Sequence, residues 1–193
     1  ERLLVLLARG GEYRSQLRVQ GPDGEIHWLL IIGQLHAEDD VRPRCLGVAI
    51  DITESKRAEA LIRQLGDWTL RFLCIVLAVT PLRVATGTPE LARLRRMLGL
   101  FVAFYALVHL LAYVAFDMGF DAGEIARDIA KRPFILVGSL AALLLALLAA
   151  TSFNRAIKAL GAVRWRRLHR SVYAVAALAI LHFYWMRAGK RDF

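Results

Sequence analysis

The sequence is poor in cysteine, and this limits the metal and redox sites it can form. Its two cysteines, Cys45 and Cys74, lie in different segments and form neither a CxxC motif nor a spacing typical of a metal site. They say nothing about the redox compartment. The sequence also lacks a Ser-His-Asp set, a phosphate-binding glycine loop and a pair of carboxylates at catalytic spacing. Chemistry performed on a bound substrate by side chains alone is therefore not expected.

Acidic residues are fewer than basic ones, 17 against 26, which gives a formal net charge of +9. The basic residues cluster beside apolar runs and no RNA- or DNA-reading motif accompanies them, so nucleic acid is excluded as the expected partner. Hydrophobic residues make up 57% of the chain, more than in an ordinary soluble domain, and the excess follows residue 66. The chain opens at Glu1 without an initiator methionine or a signal-peptide pattern, so we expect a fragment of a longer protein.

The first part of the chain reads as strands and turns. Residues 13–19, 25–35 and 44–51 predict three strands, with a strong Gly-Pro-Asp-Gly turn after the first. Asp51 or Thr53 can cap a polar helix that begins near Glu54. His27 and His36 are interpreted as exposed strand residues.

The order of short motifs in this part resembles the C-terminal half of a PAS sensor domain. The motifs are Gly-x-Tyr, Pro-Asp-Gly-Glu, Trp28, Gly-Val-x-x-Asp-Ile-Thr-Glu and Lys-Arg-Ala-Glu. In that family the three strands form half of a five-stranded sheet, and the Asp-Ile-Thr segment passes signals into the next helix. We expect residues 1–53 to be the PAS part, residues 54–65 a solvated linker helix in preference to a coiled-coil signalling helix, and residues 66–193 a membrane domain.

Four apolar segments follow, at residues 68–82, 97–116, 134–151 and 168–186. A membrane helix needs about 20 apolar residues, so the first segment is short and the others predict spans. The first and third connections are rich in arginine, whereas the second, at 117–132, mixes acids and bases. The positive-inside rule places the first and third connections in the cytoplasm and the second outside. The PAS part would then lie outside, although its basic helix favours the cytoplasm; a missing helix or a gene fusion would explain this conflict.

Two histidines are expected at matching depths of the membrane. At 1.5 Å per residue, His109 lies about 18 Å from the cytoplasmic end of its segment and His182 about 21 Å from that of its own segment. Ionisable residues inside a membrane are functional by default, and two imidazoles facing each other across a bundle form an axial ligand pair for haem iron. We predict one b-type haem between them in the outer half of the bilayer. The alternative is packed histidines hydrogen-bonded to the backbone or to Tyr105, Tyr113 and Tyr184.

His169 is expected to serve a second site near the cytoplasm. On one continuous helix it would lie about 20 Å from His182 and roughly 140° around the axis, so the two rings need not face one cofactor. This site could hold another haem with an unidentified ligand, a quinone or a flavin. Most arginines are topogenic, but a subset could neutralise haem propionates or a flavin phosphate. The arginines nearest this site are Arg95, Arg96, Arg166 and Arg167.

The second part of the chain, residues 66–193, also resembles a known family. The motifs that carry the resemblance are LAVTPLR at 77–83, RRMLGL at 95–100, YALVHLLAY at 105–113, KRPFILVG at 131–138 and LGxxRWRRLHRSVY at 160–173, followed by HFYW. They are similar to those of the haem-binding membrane subunits of protein-methionine-sulfoxide reductases (the MsrQ family), within the ferric-reductase-like transmembrane group. The family's three histidines map onto His109, His169 and His182. Six helices are usual in that family, and counterparts of the first and last are not found in this chain.

The resemblance implies metal binding by these histidines, one or two haems b, and FMN as a further cofactor. It also implies electrons from the quinone pool or a cytoplasmic flavin reductase. Their recipient would be a periplasmic, molybdopterin-containing methionine sulfoxide reductase subunit that repairs oxidised methionines.

We therefore expect a mostly α, polytopic transmembrane helical bundle preceded by a partial α/β PAS fragment, placed in the lipid of the bacterial inner membrane. Electrons would enter at the basic cytoplasmic face and leave near residues 117–132. The protein would be an electron-transfer subunit and not a self-contained catalyst. The alternative is a PAS-linked membrane signalling protein that senses redox state or a gas through haem, or that has no haem.

Overall fold

The computed structural model of the chain describes residues 11–22, 24–36 and 44–188. Two compact units are distinguished, one ending at Ala60 and the other beginning at Leu61, and each is described by itself. The structure is mostly helical, with a small sheet near the N-terminus, as the sequence predicts.

The first unit contains a three-stranded antiparallel sheet in the order β1-β2-β3. The strands are β1 Gly11–Gln20, β2 Ile26–His36 and β3 Arg44–Asp51. They agree with the predicted strands to within two residues at each end. Gly24 closes the first turn with a φ of +82°, a conformation that glycine adopts without a steric penalty.

A hydrogen-bonded cluster marks the point where β3 leads into the first helix. Thr53 is buried; its hydroxyl accepts the Trp28 N–H at 2.9 Å, and its own N–H donates to Asp51 Oδ1 at 2.8 Å. The second Asp51 oxygen lies 3.2 Å from Nδ1 of His27. His27, expected as an exposed strand residue, is therefore paired, and its side chain is 36% exposed. The hydrogen bonds from Thr53 lower the pKa of Asp51, with a smaller contribution from His27. The side chain of His36 lies outside the described residues.

After the sheet, the described part of the chain forms six helices. They are α1 Thr53–Thr86, α2 Leu91–Ala112, α3 Ala122–Lys131, α4 Pro133–Ala150, α5 Asn154–His169 and α6 Val172–Ala188. A π-helical turn, Tyr113–Asp117, extends α2. Four helical stretches in the described part are long and apolar enough to cross a membrane, and they contain the four predicted segments to within one residue.

Two features of these helices differ from the sequence prediction, and the first concerns α1. The sequence divides residues 54–65 and 68–82 into a linker helix and a span, and the structure joins the two stretches in one helix of 34 residues. Gly66 and Asp67, both weak helix formers, stand between the two stretches, and a single glycine inside a helix is tolerated.

The second difference lies at the predicted single helix 168–186. The structure ends α5 at His169 and begins α6 at Val172, so His169 and His182 belong to different helices. The Arg170 N–H is shared between the carbonyls of residues 166 and 167, and the Ser171 carbonyl accepts the first bond of α6 from the Val175 N–H at 3.0 Å. The Ser171 hydroxyl is buried and forms no hydrogen bond within the described residues, so the break is made by these backbone bonds and not by a side-chain cap. The rotation of 140° expected on one continuous helix therefore does not apply.

Helix α3 was not predicted. Asp121 caps it by accepting hydrogen bonds from the N–H groups of Gly123 and Glu124, at 2.7 and 3.0 Å. An aspartate followed three residues later by a glutamate is a recognised start signal, so the sequence contained the information that was missed.

The hydrophobic core of the second unit lies between α1, α2, α4 and α6. Val102 and Val175 are its most completely buried side chains, with 1% and 2% exposure. The other buried members are Leu73, Val76, Leu145, Leu148 and Ala176. The core lies between the two ends of the bundle: the C-terminal end of α2 is on one side of it, and the C-terminal end of α5 is on the other.

Candidate functional site

His109 of α2 and His182 of α6 face each other inside the helical bundle. Their ring centroids are 6.4 Å apart, and the ring planes meet at 75°. The two side chains reach the same level from different helices, as their depths in the sequence predict. Both are half-buried.

Each of these rings is oriented by one backbone carbonyl. Nδ1 of His109 donates to the Ile62 oxygen of α1 at 2.9 Å, and Nδ1 of His182 donates to the Phe134 oxygen of α4 at 2.6 Å. A carbonyl can only accept, so the proton of each neutral ring is on Nδ1 and the lone pair is on Nε2. In the described part of the chain no hydrogen bond involves either Nε2 atom. Both rings therefore present the nitrogen that binds a metal.

The pair fits haem iron better than a metal held by protein ligands alone. Two metal–imidazole bonds of about 2 Å, with the distance from nitrogen to ring centre added at each end, require centroids about 6.3 Å apart. The observed separation is 6.4 Å. Among the described residues there is no group of three or more side chains that could ligate a metal. A pair suffices where a porphyrin supplies the four remaining ligands.

The alternative of ordinary packed histidines explains only part of this arrangement. The backbone bonds account for one nitrogen of each ring and leave the other without a hydrogen bond among the described residues. Of the tyrosines considered as partners, Tyr113 instead donates to Asp128 Oδ2 at 2.8 Å, and the Tyr105 ring stacks on Phe72.

His169 is held differently, near the other end of the bundle. Its Nε2 lies 3.1 Å from the hydroxyl of Thr151, and this hydroxyl donates to the Leu147 oxygen at 2.8 Å. A hydroxyl can both donate and accept, so this contact is compatible with either tautomer of His169, unlike the carbonyl contacts of the other two histidines. The Trp165 ring stacks on His169 at 4.0 Å.

A cavity of about 440 Å³ lies beside His169. Four of the five residues predicted for the inner site line it, namely His169, Arg95, Arg96 and Arg166, and Arg170 is added. Pockets of this size hold small organic ligands, and a lining that combines arginines with apolar side chains suits a planar anion.

Arg167 was also predicted for the inner site but does not line this cavity. Successive helical residues point about 100° apart, whereas residues four apart share a face. Arg166 and Arg170 have the second relation, and that spacing could have identified Arg170 in the sequence.

The arginines of α2 that reach this cavity are hydrogen-bonded to neighbouring segments. Arg95 donates to the Thr80 hydroxyl at 3.3 Å, and Arg96 donates to Asn154 Oδ1 at 2.8 Å. These bonds engage one nitrogen of each guanidinium, and the planar fork has further donors for a ligand.

Comparison with known proteins agrees with this geometry. The family described as "Ferric reductase like transmembrane component" matches residues 65–180. A protein of Polaromonas naphthalenivorans named "Protein-methionine-sulfoxide reductase heme-binding subunit MsrQ" is 71% identical over 136 residues, which cover 70% of this chain and 62% of the relative. A protein of the same name from Herminiimonas arsenicoxydans is 55% identical over 70% of this chain and 62% of the relative. Another, from Bordetella pertussis, is 51% identical over 75% of this chain and 69% of the relative.

The match therefore spans about 62% of the length of the first two of these relatives. No solved structure matches the chain.

Proposed function

Since the chain belongs to the ferric-reductase-like transmembrane family and, within it, to the haem-binding subunits of protein-methionine-sulfoxide reductases, we propose that it transfers electrons across the membrane as part of such a reductase. Its four apolar helices make it a multi-pass protein of the bacterial inner membrane. It would act as an electron-transfer subunit, with catalysis on the substrate left to a partner.

The observation that supports this function most directly is the facing pair His109 and His182. Their Nε2 atoms would hold one haem b, whose iron supplies the one-electron redox change when bound. The Ile62 and Phe134 carbonyls fix the tautomer and the direction of both rings, which raises the basicity of the ligating nitrogens.

The cavity beside His169 would hold a second, anionic cofactor: another haem b, FMN or a quinone. Arg95, Arg96 and Arg166 would bind its propionates, phosphate or carbonyl oxygens. A second haem ligated through Nε2 of His169 requires this nitrogen to leave the Thr151 hydroxyl, whereas a flavin or quinone does not. Replacing His169 with alanine therefore distinguishes the cofactors: a second haem is lost, and a flavin or quinone is retained with lower affinity.

The electron donor and acceptor would bind at opposite faces. The quinone pool or a cytoplasmic flavin reductase would deliver electrons at the basic end, where Arg95 and Arg166 lie. The names of the relatives support a methionine sulfoxide reductase as acceptor. We assign this role to a periplasmic, molybdopterin-containing subunit that repairs oxidised methionines and docks near α3.

The first unit would be the C-terminal half of a PAS domain, with residues 1–53 as the PAS part, 54–65 as linker and 66–193 as the membrane domain. The antiparallel order β1-β2-β3 and the Asp51–Thr53 cluster support it. Exposed apolar side chains on β3, Leu46 at 80% and Val48 at 64%, are what a sheet that continues into further elements would show. A PAS-linked signalling protein is not favoured, because the family match covers the membrane unit and its relatives are named as reductase subunits.

Haem spectra of histidine variants test the main proposal. The purified chain should show a dithionite-reduced minus oxidised difference spectrum of a six-coordinate b-type haem, with haem quantified per chain. Changing His109 or His182 to alanine should abolish the haem they share, whereas His27→Ala, in the sheet, should leave the spectrum unchanged. A spectrum that is unaltered in both His109→Ala and His182→Ala would refute the assignment.

Electron transfer itself is tested with the reduced protein in membrane vesicles. Oxidation of its haem should accelerate when a purified periplasmic methionine sulfoxide reductase subunit and methionine sulfoxide are added together. Haem oxidation that is indifferent to both additions would contradict this part of the proposal.

A further inference from the structure

Each of the two facing histidine rings packs directly against a glycine of a neighbouring helix. A methyl group on Gly138 of α4 would lie 2.7 Å from Nδ1 and 2.9 Å from Cε1 of His182. A methyl group on Gly66 of α1 would lie 3.1 Å from Cε1 and 3.4 Å from Nδ1 of His109. Alanine could not be placed at Gly138 without moving the ring, and at Gly66 the ring would have to give way by a few tenths of an ångström.

The same two glycines stand in a fixed relation to the carbonyls that accept from the rings. Ile62 precedes Gly66 by four residues, and Phe134 precedes Gly138 by four residues. In an α-helix the N–H of residue i+4 binds the carbonyl of residue i, and the Cβ of residue i+4 is tilted back toward that carbonyl. A glycine at i+4 therefore opens the side of the carbonyl, so that its second lone pair can accept from a ring of another helix.

This arrangement occurs twice, on two helices that each contact a different histidine. Glycine destabilises a helix interior relative to alanine, so its presence at both positions has a local cost. Gly99 of α2 shows that the contact is particular to these two positions, since a methyl group there would have nothing within 4 Å. At Gly66 and at Gly138, a histidine ring contacts the glycine and also donates to the carbonyl four residues earlier. Neither feature is found at Gly99 among the described residues.

We propose that Gly66 and Gly138 are positioning residues for the histidine pair: each admits an imidazole to the carbonyl four residues earlier and thereby keeps Nδ1 protonated and Nε2 directed at the shared ligand. The role as a haem-ligand support rests on the proposed function. The orientation of the rings by glycine and carbonyl is a property of the polypeptide and can be measured without a cofactor.

The test compares Gly138→Ala and Gly66→Ala with Gly99→Ala as a matched helical control. Haem affinity is measured by titrating haem into the purified apoprotein. Loss of a group that orients a metal ligand reduces metal affinity about 10- to 100-fold, and we expect Gly138→Ala to show such a loss and Gly66→Ala a smaller one, because its contact is less severe. Gly99 lines the inner cavity, so Gly99→Ala is the control for the His109–His182 pair alone: the tautomers of these two rings and the affinity of the haem they share should equal those of the original chain.

Two spectroscopic readouts separate positioning from general loss of structure. In the apoprotein, nitrogen-15 NMR of the histidine rings should show Nδ1-protonated tautomers for His109 and His182, and Gly138→Ala should shift His182 toward a mixture. In the haem-loaded protein, the low-spin electron paramagnetic resonance signal should change and the midpoint potential should rise, because a weaker Nδ1–H bond makes the ligand a poorer donor to ferric iron.

The outcomes distinguish this inference from the function on which it rests. If the original chain binds no haem, the proposed function fails, while the tautomers still decide whether the glycines orient the rings. If Gly138→Ala does not fold, Gly66→Ala decides in its place. Haem affinity, tautomer and potential indistinguishable from those of Gly99→Ala would overturn the proposal.

Discussion

Replacing Asp128 of α3 by alanine is expected to destabilise the membrane unit. The Asp128 carboxylate is only 11% exposed; it accepts the Tyr113 hydroxyl at 2.8 Å, and its other oxygen pairs with Arg132 Nε at 2.9 Å. Arg132 is half exposed, so its ion pair adds little, about 0.5 kcal/mol. The bond from the Tyr113 hydroxyl to a charged acceptor contributes about 1.5–3 kcal/mol. The total expected for Asp128→Ala is therefore about 2–3.5 kcal/mol.

Unfolding in a fixed detergent, followed by the loss of helical circular dichroism in a titration with sodium dodecyl sulfate, measures this change. Tyr113→Phe removes the same hydrogen bond and should cost about 1.5–3 kcal/mol, and the double variant should cost less than the sum of the two single variants. Asp117→Ala removes an exposed acid near the same place and serves as the control. The reasoning fails if Asp128→Ala is no less stable than Asp117→Ala, or if the two single effects add fully.

Three further outcomes are expected. Asp121→Ala should remove the cap of α3 at a cost of about 1 kcal/mol, measured as faster amide hydrogen exchange across α3 and not elsewhere. Gly161, at a φ of +74°, should tolerate alanine only with a loss of about 1 kcal/mol in the same detergent titration. Because its pKa is lowered on folding, Asp51 stabilises the first unit above its ordinary pKa, near 3.8, and this stabilisation is lost as the pH falls through the lower pKa of the folded state. An acid titration of the Asp51 carboxyl carbon by NMR should show the lowered pKa. Asp51→Asn should remove this contribution to the loss of stability in acid.

The elements that depend on local sequence were predictable. Alternating strands bounded by turn residues gave β1, β2 and β3 to within two residues, and runs of about 20 apolar residues gave the spans. The matched depths of His109 and His182 also followed from sequence, because the helical rise per residue is fixed and both segments were counted from their cytoplasmic ends. Counting along an axis therefore located the pair before any packing was known.

The features that depend on contacts between helices were not predictable. Hydropathy does not register a break of two residues, so the separation of α5 from α6 between His169 and Val172 was missed. Which ring nitrogen of His109 and of His182 carries the proton depends on the backbone carbonyl of another helix that lies beside the ring. Gly66 and Gly138 show no signal of their own in the sequence, since their significance appears only when a ring from a distant segment contacts them.

The surroundings of the His109–His182 pair and of His169 differ in a way that suits two different cofactor sites on the proposed electron path. Arg95 and His109 belong to the same helix and are fourteen residues apart, so Arg95 lies about 21 Å from the outer pair along α2. The cavity also reaches Val102, which is seven residues, or about 10 Å, from His109. At the outer level, carbonyl acceptors leave both Nε2 atoms available to one ligand, whereas at the inner level the Thr151 hydroxyl occupies Nε2 of His169 and arginines supply positive charge. These differences support the proposal that the outer pair ligates one metal from two sides and that the inner cavity holds an anion next to a single imidazole.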